Sequence, residues 1–196
     1  GVVLAPRGAG MMVSMMLVSR LIGRFDARVM IAVGFGLTAL SLQDMTTFDF
    51  NVSESHLIWN GVLLGFGLGL VFPPLTVLTF ATLPLRLRTE GAAINALLRN
   101  LGASIGLAVL VSLLARSTQE NRAELVEQFT PFHLGWPLDR GLPGVDPAAL
   151  TFWNAEINRQ AAMIGYLNDF RVMMYCSLAL IPFLFFMRRP PLIMVR

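Results

Sequence analysis

Charge, histidine and cysteine are scarce in this chain of 196 residues, and lysine is absent, so every basic side chain is an arginine. Only 14% of the residues are charged, whereas 55% are hydrophobic and the mean hydropathy is +0.65. A soluble domain carries roughly 25% charged residues, and a chain this apolar cannot cover a globular surface with polar groups. The composition excludes a soluble enzyme, a disordered tail and a nucleic-acid-binding domain as first interpretations.

The residue types needed for most catalytic and metal sites are also missing. Cys176 is the only cysteine, which excludes a disulfide framework, and the two histidines, His56 and His133, lie far apart in the sequence. There is no glycine-rich phosphate loop with lysine and no His/Glu spacing typical of a metal site. We therefore expect neither an enzyme nor a metal centre, and an integral membrane protein is the working class. Because the chain begins at Gly1 without methionine and shows no signal peptide, we interpret it as a fragment.

Long apolar segments predict five membrane-spanning helices, since one span needs about 20 mostly apolar residues. Four of them fall within residues 1–115, at about 2–22, 29–48, 57–83 and 91–115, and the fifth lies in residues 172–196, ahead of a short tail. Residues 116–171 between them form a separate, more polar segment. The sequence thus predicts an all-α membrane protein with five spans and one sizeable connecting segment.

The few charges alternate from one connection to the next. Arginines dominate the connections after spans one and three and the tail after span five, whereas the connection after span two holds Asp49 and Glu54 and no arginine. The positive-inside rule places the arginine-rich connections in the cytoplasm. We therefore predict a multi-pass protein with a cytoplasmic C-terminus and with residues 116–171 outside.

Two helical stretches are predicted in this outer segment. The polar run Ser117–Glu120 has the composition of a helix start, and Asp146-Pro147 reads as an N-cap followed by proline at the first helical position. Apolar residues then recur at three- and four-residue steps from Leu150 to Leu167, which is typical of an amphipathic helix. That helix either lies on the outer membrane surface or leads into span five.

Span four carries an arginine at its middle. Arg99 shares one helical face with Asn95, Gly102 and Gly106, and Asn100 lies about 100° away. An arginine is costly in lipid, so this face should meet a bundle interior or an aqueous cavity, and its glycines allow a neighbouring helix to approach closely. Arg99 either lines a transport path and pairs with a carboxylate there, or it is a structural arginine bonded to carbonyls. The five spans offer no buried acid except Asp44, near a membrane edge.

Spans one and three raise similar questions. Arg7 shares a face with Met11 and points either to a cavity or outward to the interface; Met11 offers either a soft apolar surface for ligands or packing against lipid and helices. Asn60 either meets substrate or forms an interhelical hydrogen bond. Small residues four apart in span three favour close helix packing, and they are Gly61, Gly65 and Gly69.

Four segments together resemble one family. They are residues 4–12, 20–28, 99–106 and 156–170, and in order and topology they are similar to the C-terminal part of the major facilitator superfamily, specifically the fourteen-helix drug:proton antiporters of the EmrB/QacA type. The resemblance implies that the five spans are the last five of fourteen helices. It also implies alternating access with a site near the midplane, driven by the proton gradient without another cofactor.

The closely spaced charges of the first basic loop make it a candidate gating loop, and its sequence departs from the pattern of the family. The family's loop usually reads Gly-Arg-Leu-x-Asp-Arg, whereas here Ser19 replaces the glycine and Gly23 the aspartate. The closely spaced charges that remain are Arg20, Arg24, Asp26 and Arg28. They either join two helix ends by charge pairs that break on movement, or they serve only to retain the loop in the cytoplasm.

The expected function is therefore proton-coupled efflux of drugs or other toxic compounds across a bacterial cytoplasmic membrane. The expected partners are the lipid bilayer, the N-terminal half of the same transporter and small hydrophobic substrates, and the resemblance adds a periplasmic membrane-fusion adaptor with an outer-membrane channel. The alternatives are export of an endogenous metabolite, such as a siderophore, peptide or lipid precursor, and a membrane scaffold that does not transport.

Overall fold

The computed structural model describes residues 5–22, 24–49, 52–81, 83–128 and 147–186. These residues form helices and short connections, which is an all-α fold. The predicted residues 2–4 of span one, the connection 129–146 and the tail 187–196 lie outside the described residues. The elements are α1 (Ala5–Leu21), α2 (Ala27–Met45), α3 (Glu54–Phe80), a 3-10 turn (Leu85–Leu87), α4 (Arg88–Gln128) and α5 (Pro147–Phe186).

Local sequence accounts for the start of two of these helices. Asp26 caps α2 by accepting a hydrogen bond from the backbone N–H of Arg28 at 3.2 Å, and Ser53 caps α3 by accepting one from the N–H of His56 at 3.4 Å. The described part of α5 begins at Pro147. Asp146, its predicted N-cap, lies outside the described residues, and the helix start at Pro147 stays a prediction.

Three helices in the described ranges are long and apolar enough to cross a membrane. They are contained in Glu54–Phe80, Leu85–Val126 and Asn154–Leu184. The described part of α1 has 17 residues and α2 has 19, with Arg28 and Asp44 near its ends. These two helices match the positions of predicted spans one and two, and five spans remain a prediction.

The two longest helices run through boundaries at which a break was predicted. Helix α4 continues past residue 115, and the helix start predicted at Ser117 is wrong. Polar pairs one turn apart support the helix there: Arg116 Nε donates to Glu120 Oε1 at 2.8 Å, and Asn121 Nδ2 donates to Ser117 Oγ at 3.3 Å. The amphipathic helix leads into span five, because α5 is continuous from Pro147 to Phe186.

The chain divides into two compact units, residues 1–102 with 170–196, and residues 103–169. In the first unit α3 packs against both α1 and α2. Its core consists of small apolar clusters at which these helices meet, and the C-terminal part of α5 adds to them. The clusters include Val18, Met30 and Leu70; Ala27, Ile31, Val71, Leu78 and Leu184; and Ala39, Leu42 and Met174.

Glycines set the distance between α3 and its two neighbours. A Cβ atom added at Gly65 would collide with the backbone carbonyl of Arg7 on α1, and one at Gly69 would lie 2.8 Å from the carbonyl oxygen of Met11. On the α2 side, a Cβ at Gly67 would lie 2.7 Å from Thr38 Oγ1. Only glycine permits backbones to approach this closely. The small-residue spacing noted in span three therefore marks real helix contacts at Gly65 and Gly69.

The second unit is held by α4 and α5. A Cβ added at Gly165 would lie 2.8 Å from Thr118 Oγ1 and 3.1 Å from Leu114 Cδ1, so these two helices also approach closely at a glycine. Asn168 Nδ2 donates to Ser117 Oγ at 3.1 Å within the same unit. A close contact and an interhelical hydrogen bond thus lie side by side.

Replacing Gly65 by alanine should destabilise the protein, because the new methyl group meets the carbonyl of Arg7, a backbone atom that cannot turn aside. Overpacking of this kind costs about 1–3 kcal/mol. Gly36 provides a matched control within a helix, since a Cβ there meets nothing within 4 Å, and Gly36→Ala should leave the protein unchanged or slightly more stable. The measurement is the Tm of the purified protein in detergent; equal Tm values for both variants would contradict the packing described here.

Candidate functional site

Arg99 lies on α4 with its side chain exposed on the surface of this chain, and it forms no hydrogen bond or ion pair with any described residue. Asn100 is exposed too, and Asn95 is partly buried. A Cβ added at Gly102 or at Gly106 meets nothing within 4 Å, so the close helix contact predicted at these glycines is not made by the described residues. The polar face of α4 is open.

No residue of α4 from Arg88 to Val126 is buried, although this helix contains one of the most apolar stretches of the chain. Large apolar side chains are exposed next to Arg99, including Ile94, Leu97, Leu98 and Leu101. Lipid can cover such side chains, but it offers a guanidinium group no hydrogen-bond partner. Arg99 therefore needs water or a polar group from outside the described chain.

Arg7 and Met11 lie on α1, where the backbone and the side chains face different surroundings. The backbone carbonyls of both residues approach glycines of α3, whereas the Arg7 side chain is exposed and that of Met11 is partly buried. Arg7 makes no hydrogen bond or ion pair with any described residue. Their predicted place on a common transport path remains a prediction.

Asn60 is 2% exposed and lies between α3 and α2. Its side-chain Nδ2 donates to the carbonyl oxygen of Ser41 at 3.0 Å and to Asp44 Oδ2 at 2.7 Å, and its Oδ1 accepts a hydrogen bond from Ser41 Oγ at 2.9 Å. These are the interhelical hydrogen bonds that stood as the alternative to a substrate contact. The substrate contact itself stays a prediction.

The predicted gating loop contains exposed and buried charges. Arg20, Arg24 and Asp26 are exposed, and Asp26 is engaged with the backbone N–H of Arg28 as a helix cap. The guanidinium atoms Nε and Nη2 of Arg28 are buried and have no hydrogen-bond partner. Gly23, which replaces the aspartate of the family's loop, lies outside the described residues. The loop therefore shows one buried guanidinium whose partner is not among the described residues.

The structure adds a buried acid that the sequence analysis overlooked. Asp169 is 7% exposed and lies inside α5, in the segment 116–171 that was predicted to lie outside the five spans. The apolar steps of three and four residues that lead from Leu150 to Leu167 and on towards span five were the available signal for a helix through this position. Asp44 remains the one acid predicted near the edge of a span, and Asp169 is a buried acid beyond those spans.

The comparisons with known proteins agree with a membrane transporter. No protein-family model matches the chain. "Multidrug resistance protein Stp" of Mycobacterium tuberculosis (strain CDC 1551 / Oshkosh) is 31% identical over 115 residues, which is 59% of this chain and 21% of Stp. "Probable multidrug resistance protein EmrY" of Escherichia coli (strain K12) is 26% identical over 189 residues, or 90% of this chain and 36% of EmrY. "Uncharacterized MFS-type transporter YhcA" of Bacillus subtilis (strain 168) is 21% identical over 128 residues, or 65% of this chain and 24% of YhcA.

The helices and these relatives together define the class of the protein. It is an all-α, multi-pass membrane protein with a major-facilitator-like fold, similar to multidrug transporters. The chain spans about a fifth to a third of the length of the relatives that it matches.

Replacing Arg28 by methionine separates a structural role from a functional one. A buried donor without a partner costs about 1–3 kcal/mol, so the neutral Arg28→Met side chain should leave the Tm of the purified protein unchanged or higher. If the loop acts in gating, transport should nevertheless fall. Arg24→Met is the control, because Arg24 is exposed in the same loop. A lower Tm for Arg28→Met alone would show that its guanidinium has a stabilising partner after all.

Proposed function

We propose that this chain is the C-terminal part of a proton-coupled efflux transporter for drugs and other toxic compounds, working by alternating access in a bacterial cytoplasmic membrane. The observation that carries the proposal is the open polar face of α4, where Arg99 lies within an apolar stretch and makes no hydrogen bond or ion pair with any described residue. The names of the relatives, which include multidrug resistance proteins, favour this substrate class over other exported molecules.

In this proposal Arg99 lines the aqueous path between the two halves of the transporter. A guanidinium is always charged, so that it can attract a carboxylate or an acidic substrate group but cannot itself carry a proton. Asn95, four residues or about one turn before it, offers both a donor and an acceptor to the same space. The chemistry of the face is thus recognition and charge balance rather than proton transfer.

In this proposal the groups that carry protons lie mostly in another part of the transporter. Arginine does not titrate in proteins, so proton coupling needs acids. From the family resemblance we assign most of these acids to the N-terminal half of the transporter, the first partner of this chain. The proton gradient then serves as the energy source in place of a cofactor.

A membrane-fusion adaptor with an outer-membrane channel is the second proposed partner. The segment that would meet it is the predicted outer segment, residues 116–171, into which α4 and α5 continue as helices beyond the predicted ends of their spans. Its hydrogen bonds, Asn168 to Ser117 and Arg122 Nη2 to Asn154 Oδ1 at 3.1 Å, support a defined surface in this region.

Replacing Arg99 by alanine in the complete transporter should abolish drug resistance while the amount of protein in the membrane stays normal, because Arg99 forms no hydrogen bond or ion pair with any described residue that the fold would lose. The measurement is growth of a susceptible host across a panel of toxic compounds, together with quantification in membrane fractions. Arg116→Ala is a control that removes an exposed arginine further along α4, one that pairs only with the neighbouring Glu120. Normal resistance with Arg99→Ala would overturn the assignment of this face.

A further inference from the structure

A continuous chain of hydrogen bonds joins the end of α2 to the start of α3. Its centre is the Asn60 amide, which uses both Nδ2 protons and its Oδ1 on Ser41 and Asp44 of α2. The single hydroxyl proton of Ser41 also lies within reach of the Asn60 backbone carbonyl, with Oγ 3.3 Å from that oxygen, so it is shared between the two Asn60 acceptors. The amide is nearly inaccessible and fully bonded, which is the arrangement in which a polar group fixes two helices against each other.

The series of hydrogen bonds continues from the Asn60 amide to the surface of the protein. Asp44 Oδ2, which accepts from Asn60, also lies 2.9 Å from Nε2 of His56 in the first turn of α3. The side chain of His56 is 50% exposed and that of Asp44 38%. The ring of Phe48 meets the His56 ring edge to face, with centroids 5.5 Å apart and planes at 73°. One carboxylate oxygen thus ties a buried amide to an exposed imidazole.

The other neighbour of α3 is held in a different way. Between α1 and α3, the described contacts are backbone approaches at glycines and an apolar cluster that contains Val18 and Leu70, and Ser14 Oγ is buried at this contact without a hydrogen-bond partner among the described residues. No hydrogen bond among the described residues joins these two helices side chain to side chain. Side-chain hydrogen bonds therefore join α2 to α3, whereas none among the described residues joins α1 to α3, although both pairs of helices pack closely.

We propose that Ser41, Asn60, Asp44 and His56 form a polar clasp that locks the end of α2 to the start of α3, so that these two helices behave as one body. Asn60 is its inner element and His56 its outer one, and Asp44 connects them. Trp59, 73% exposed beside Asn60, is of the type enriched where helices leave the membrane. Near such an interface water competes less with the inner bonds than with the His56 bond.

The clasp makes a local prediction for hydrogen exchange. In the purified transporter in nanodiscs, His56→Ala should speed the exchange of backbone amides around residues 41–60 about two- to tenfold, the range expected for the loss of one hydrogen bond. His56→Gln should stay close to the wild type, because its amide can still donate to Asp44. Amides in the described part of α5 should not change. Gln43→Ala, an exposed neighbour on the same turn of α2, is the control.

A double variant tests whether His56 acts through Asp44. With Asp44 already replaced by alanine, a further His56→Ala change should have no additional effect on exchange. Additive effects, an effect of His56→Ala equal to that of Gln43→Ala, or faster exchange spread evenly over all helices would overturn the clasp. Because exchange is measured without transport, failure of the efflux proposal and failure of the clasp are distinguishable. Asn60→Ala should give the largest local effect, and if that variant fails to fold, the two His56 variants carry the test.

Discussion

The close approach of backbones at the glycines of α3 is the contact on which the first unit of this protein depends. Lipid tails are as apolar as leucine, so helices in a membrane gain little from burying apolar surface against one another and must gain by close contact. Gly65 and Gly69 allow this contact on the α1 side, and Gly67 allows it on the α2 side. Helix α3 therefore packs against two neighbours, α1 and α2, and the small apolar clusters of the core form around these contacts.

The polar side chains discussed above fall into two groups: those with hydrogen-bond partners among the described residues, and those with none there. Asn60 finds every partner on the neighbouring helix, so it contributes to the fold. The guanidinium groups of Arg28 and Arg99 find none among the described residues, the first because it is buried without an acceptor and the second because its helix face is open. The same physical requirement, that a polar group in an apolar medium be satisfied, thus identifies both structural residues and candidates for function.

Much of the architecture could be predicted from the sequence, but helix ends and partners could not. Hydropathy located the apolar stretches, and the spacing of Gly65 and Gly69 indicated close packing, because both depend on residue type and period alone. Hydropathy does not report where a helix stops: α4 continues through Ser117 since pairs such as Arg116 with Glu120 support it in polar sequence. The burial of Asp169 was not predicted for the same reason: its segment is rich in polar residues, yet it belongs to a continuous, partly buried helix. Whether Asn60 faces substrate or Ser41 depends on helix rotation, which one sequence does not determine.

Arg99 and the apolar side chains of α4 differ in what they need from their surroundings. An apolar helix with no buried residue is satisfied by lipid wherever it presents leucine and isoleucine, so exposure by itself demands no partner. Arg99 interrupts that surface with about two turns of mostly apolar helix between it and Glu90 and about four turns between it and Arg116. Glycines at positions 102 and 106 on the same face leave room beside the guanidinium that a leucine or isoleucine would fill. A helix evolved only for contact with lipid needs neither feature, and their coincidence on one face is what favours a path over a structural arginine.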